Sequence, residues 1–95
     1  MKVFIAKDED TGDCHAFKNR ENAINMMYHR CKDWGASLNV AVKVNGIYQY
    51  TSLDKVCYTD EQKLDFLYHC SATELCDVFE AYWSFQECEF EDEEG

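Results

Sequence analysis

The chain predicts an α+β fold: a small antiparallel sheet of two hairpins, one intervening helix and two C-terminal helices. Three observations predict it. Residues 2–6 and 14–17 flank a polar turn cluster. Leu38, Val40, Val42 and Val44 alternate at period two and run into Asn45-Gly46, a strong signal for a two-residue hairpin turn. Thr59 with Gln62, and Ser71 with Glu74, have the spacing of capping boxes that open helices.

Residues 2–6 (KVFIA) are β-branched and aromatic, as strands are. Residues 8–13 (DEDTGD) carry turn chemistry with Gly12 at the tip, and 14–17 read as the return strand. Asn19 caps a helix beginning at Arg20. Ala23, Ile24, Met27, Tyr28, Cys31 and Trp34 keep the three-and-four spacing of one buried face. Gly35 suits the position after the C-cap, and Arg30 and Lys32 complement the dipole of the last turns. After the second hairpin, residues 47–51 (IYQYT) return. The turn pairs Val44 with Ile47 on an aliphatic face and puts Tyr48 and Tyr50 on the opposite one, with Lys43 and Ala41. Residues 55–58 read as a further short strand. The second helix follows Thr59, presenting Leu64, Leu67 and Tyr68. The third begins near Ala72 and presents Leu75, Cys76, Val78, Phe79, Tyr82 and Trp83. Residues 1–86 thus form one domain, with an acidic tail at 87–95 (ECEFEDEEG).

The 95 residues hold nine basic and nineteen acidic side chains, a net charge of −10. Such a balance opposes nucleic acid as a direct ligand and opposes anionic membrane surfaces. No apolar run approaches the ~18–20 residues of a membrane span, and none resembles the apolar region of a secretion signal. The charge is unevenly placed: residues 1–55 sum to +1 and residues 56–95 to −11. A partner should therefore be basic, and it should meet the C-terminal part.

Six cysteines in a short chain raise the question of a disulfide scaffold. The missing secretion signal, the high apolar content and the placement of several cysteines on apolar helix faces favour reduced thiols in a cytoplasmic protein. Cys14-His15, His29-x-Cys31 and His69-Cys70 bring histidine near cysteine, but no Cys-x2–4-Cys pair of a zinc site exists. An EF-hand loop counted from Asp8 puts its glycine at the wrong place and Asn19 where the bidentate glutamate belongs. The four glycines are scattered, so there is no phosphate-binding loop, and neither G-x-S-x-G nor H-E-x-x-H occurs. Thiols among carboxylates are poor nucleophiles. No catalytic residue, metal or cofactor is expected.

Glu74, Asp77 and Glu80 step along the third helix in threes, and Glu87, Glu89, Glu91 and Asp92 continue the charge, with Tyr82 and Phe90 as aromatic anchors. The ridge would imitate the charge density of a nucleic-acid backbone and be steered to a basic channel. In size, acidity and this Glu/Asp-dense C-terminus the chain resembles small phage-encoded inhibitors of the DNA-mimic type, the anti-CRISPR and anti-restriction proteins. That resemblance implies a non-enzymatic inhibitor of a basic nucleic-acid-binding enzyme, such as a CRISPR or restriction nuclease. The alternative is an adaptor or immunity-type protein that binds one partner through Tyr48 and Tyr50 beside Lys43.

Overall fold

The protein, a computed structural model, is described over residues 1–89; the sequence expectations for Phe90, Glu91 and Asp92 lie outside the described residues. Its elements are β1 (Lys2–Asp8), β2 (Cys14–Phe17), α1 (Arg20–Asp33), β3 (Asn39–Val44), β4 (Ile47–Ser52), α2 (Leu53–Val56), α3 (Asp60–Tyr68), α4 (Ala72–Val78) and β5 (Trp83–Glu89). This is an α+β fold. Among the described residues, no helix is long and apolar enough to cross a membrane.

The strands form two antiparallel sheets, one ordered β2-β1-β5 and the other a β3-β4 hairpin. The two hairpins therefore do not share one sheet, and the first is completed by a strand from the far end of the chain. In the three-stranded sheet Phe4, Ala6 and Asp8 point inward, level with Glu87, Phe85 and Trp83 of β5. Across this face lies α1, whose buried residues are Ala23, Ile24, Met27, Tyr28 and Cys31. Full burial of Ile24 or Met27 contributes about 1.5–3 kcal/mol each. The helix starts where the Asn19 side chain accepts from the Glu21 and Asn22 amides. It ends in a Schellman motif: Ala36 N–H donates to the Cys31 carbonyl and Gly35 N–H to that of Lys32, with Gly35 at φ +72°. Below α1 the same core takes in Leu38, Val40 and Leu53 from the hairpin base, Leu67 from α3, and Leu75 and Val78 from α4.

Three further sequence expectations are corrected. Residues 55–58 are not a strand; Ser52 caps the one-turn α2 instead, through the Asp54 amide. The third helix does not continue to Trp83. It ends at Val78, and the Phe79 carbonyl accepts both the Tyr82 and Trp83 amides at 2.8 Å, which reverses the chain. The acidic tail does not start at Glu87, because residues 87–89 belong to β5 and pair with β1 from Lys2 to Phe4. Trp83 and Phe85 alternate with Ser84 and Gln86, so a strand buries the two aromatics on one face.

Candidate functional site

The C-terminal acidic residues separate into three environments, set by the elements that carry them. α4 is anchored inward by Leu75 and Val78. At its start the Ser71 hydroxyl accepts from the Glu74 amide at 3.1 Å, and the Glu74 carboxylate accepts from the Ser71 amide at 2.8 Å. Glu74 thus spends one oxygen on its own helix. Asp77 projects from the exposed side of α4, and Glu80 sits in the turn beyond it. Tyr82, half-buried, donates its amide to the Phe79 carbonyl, accepts from the Glu9 amide, and sets its ring 6.5 Å from that of Trp34.

Opposite them stands the β3-β4 hairpin. Asn45 at φ 51° and Gly46 at φ 82° make its turn, and the turn sets the register. Ala41 faces Tyr50 and Lys43 faces Tyr48, while Val42 faces Gln49. The tyrosine face is uncovered: Tyr48 is 70% and Tyr50 71% exposed. Lys43 Nζ lies 5.6 Å from the centre of the Tyr48 ring, a cation–π contact.

Between hairpin and α4 runs a groove of about 360 Å³ whose walls include Asn39, Tyr50, Asp77, Val78, Glu80 and Tyr82. A narrower pocket of about 30 Å³ borders Asn39, Tyr50 and Asp77 too, and adds Phe66 and Glu74. Three of the predicted acidic residues and Tyr82 therefore meet along one depression. Tyr50 completes it; the sequence set this residue apart from the acidic ridge, as an anchor of the alternative aromatic surface. The signal for it lay in the Asn45-Gly46 register, which puts Tyr50 on the face turned away from the aliphatic residues.

Electrostatically Asp77 and Glu80 differ from the carboxylates of β5 and from Asp54 and Asp60. Glu87 is 3.0 Å from Arg20 Nε, and Glu89 is 3.6 Å from the terminal amine. Asp54 pairs with Lys63, and Asp60 with Lys32 at 2.5 Å. Among the described residues no ion pair involves Asp77 or Glu80, and no lysine or arginine lines the groove. Glu87 and Glu89 lie on β5, and neither lines the groove.

A second cleft, of about 280 Å³, is bounded by Tyr28, Lys32, Asp54, Asp60 and Lys63. Its charges neutralise one another. The Lys32 ammonium and the Tyr28 hydroxyl, the latter donating at 2.6 Å, hold the Asp60 carboxyl below its usual range. Burial, and then the hydrogen bond to Asp60, push the Tyr28 phenol up. A carboxyl lowered by folding supports the fold above its unfolded pKa and loses that support as pH falls through the folded value. Asp60→Asn is therefore expected to flatten the loss of stability that sets in as pH falls toward and below the unfolded carboxyl value of about 4, relative to the parent. Denaturant melts at each pH check this; parallel curves would remove Asp60 from the acid response.

All six cysteines are free thiols. Burial pushes Cys31 to about 11 against the opposing effect of the Trp83 indole N–H, and pushes Cys70 to about 11 with help from Glu74. Neither has the depressed pKa of a reactive thiol. Among the described residues no group of three or more Cys, His, Asp and Glu side chains is arranged to hold a metal. Comparison with protein-family models, curated proteins and solved structures finds no match for this chain.

Proposed function

We propose that the protein is a non-enzymatic inhibitor that binds a basic nucleic-acid-binding protein, a CRISPR or restriction nuclease being the kind of partner meant, and blocks its nucleic-acid site. One observation carries this reading: Asp77 and Glu80 stand without a cationic partner among the described residues, on a groove they share with Tyr50 and Tyr82. Unpaired carboxylates speed encounter with a basic surface, and aromatic walls slow departure. The resemblance to DNA-mimic inhibitors supports the same reading.

The test uses the double variant Asp77→Asn/Glu80→Gln. Glu74 is left alone because its carboxylate belongs to the cap of α4. Immobilised parent protein is expected to retain a basic nucleic-acid-binding protein at about 50 mM salt and to release most of it by about 500 mM. The double variant should bind it at least about tenfold more weakly, since close interfacial charge pairs contribute 1.5 kcal/mol or more, roughly. The purified partner should lose nucleic-acid binding on addition of the parent protein. Equal binding by parent and variant, or a partner still able to hold nucleic acid, would sink the proposal.

The exposure of Tyr48 and Tyr50 favours a second reading, an adaptor or immunity-type protein that docks through the hairpin's aromatic face. Under it, alanine at both tyrosines weakens binding far more than charge removal on α4, and salt has little effect.

A further inference from the structure

We infer that the groove between the hairpin and α4 receives an arginine side chain of the partner protein. This rests on the groove being the contact surface proposed above, and it names what that surface recognises. The fold already holds one guanidinium of its own, which shows the chemistry required. Arg20 lies with its guanidinium carbon 5.8 Å from the centre of the Phe85 ring, and its Nε donates to Glu87 at 3.0 Å. Its Nη1 donates to the Tyr68 carbonyl at 2.8 Å, at the end of α3, and its Nη2 donates to the Cys70 carbonyl. An aromatic face, a carboxylate and the carboxyl end of a helix together surround that cation.

The groove shares two parts of this set, carboxylates and aromatic side chains, without the cation; the Leu75, Asp77 and Phe79 carbonyls at the end of α4 already accept backbone amides. Like α3, α4 has no basic residue in its last turn. Asp77 and Glu80 flank Val78 at the end of α4, and Tyr50 and Tyr82 line the groove beside them. Charge complementarity fixes the sign of the occupant. The aromatic walls select its shape, because a planar guanidinium stacks on a ring while its edge donates to carboxylates, which an ammonium does not do. A concave site of this kind reads one side chain at a time, whereas imitation of a nucleic-acid backbone needs only charges spread over an outward ridge.

The test is residue-resolved NMR titration of the full chain with oligo-arginine and oligo-lysine peptides of equal length. Oligo-arginine is expected to bind about fivefold more tightly, with shifts at Tyr50, Asp77 and Tyr82. Tyr50→Leu keeps an apolar side chain at an exposed position but removes the ring. It should bring the arginine-to-lysine ratio to about one, with oligo-arginine losing more affinity than oligo-lysine. Equal affinities in the parent, with shifts in the groove, overturn the assignment to arginine but keep the basic-partner reading. Shifts from both peptides that avoid the groove overturn both. A preference for arginine that survives Tyr50→Leu overturns the stacking role given to Tyr50.

Discussion

Trp83→Ala is expected to remove about 3–5 kcal/mol of stability, the usual cost of truncating a large core aromatic. For a domain of this size that lowers the melting temperature by roughly 15–30 °C. The reason is position as well as volume. Trp83 is 1% exposed and is the largest fully buried side chain. Its ring stacks on Trp34 at 5.9 Å and 9°, and meets His15 edge-on at 6.1 Å. It opens β5 immediately after the turn that places Glu80 and Tyr82, so its loss loosens the groove wall as well as the core. One feature works against its stability contribution: the indole Nε1 is buried with only the Cys31 sulfur, a weak acceptor, to receive it. A buried donor left wholly unsatisfied costs about 1–3 kcal/mol, and a weak acceptor offsets part of that. Trp83→Phe removes that donor while keeping a six-membered ring, so it is expected to cost about 1 kcal/mol, well below the alanine variant. Thermal melts of the two variants check this. Equal destabilisation would mean that the Cys31 sulfur satisfies the indole N–H in full.

The contrast between Trp83 and Asn45-Gly46 shows what local pattern determines. Asn45 and Gly46 both take positive φ, a condition written into those two residue types, and the whole register from Val44 to Ser52 follows from it. The Asn19, Thr59 and Ser71 caps were legible for the same reason, since each is satisfied within three residues of itself. Trp83 was not. At three-and-four spacing from Phe79 it extends a helical stripe, and at two-residue spacing from Phe85 it begins a strand. Local propensity does not separate these readings; pairing of β5 with β1, some eighty residues away in sequence, decides it. That long-range pairing also drew Glu87 out of the expected tail. The candidate groove was half legible on the same grounds. The α4 spacing exposed Asp77 and Glu80, but the approach of Tyr50 from the hairpin is tertiary and leaves no mark in either segment alone.

The second large effect is expected at Arg20. Arg20→Ala should cost about 2–3 kcal/mol, or roughly 10–20 °C in melting temperature, because it removes donors from two carbonyls and a carboxylate at once. Arg20 joins α1 to the end of α3 and to β5, and its side chain is only 24% exposed. Lysine at this position keeps the charge but not the fork, so Arg20→Lys should recover less than half of the loss. Glu87→Gln separates the two parts of the contact. The carboxylate is partly solvated, so its pairing with Arg20 contributes little, about 0.5 kcal/mol. Most of the Arg20 effect is therefore assigned to the Tyr68 and Cys70 carbonyls at the end of α3. If Glu87→Gln destabilises as much as Arg20→Ala, the ion pair holds the joint instead. The same variant bears on function. Of the acidic residues between Glu74 and Glu89, Glu87 is the one already satisfied by an internal guanidinium, so binding of a basic partner should survive Glu87→Gln while it falls on loss of Asp77 and Glu80.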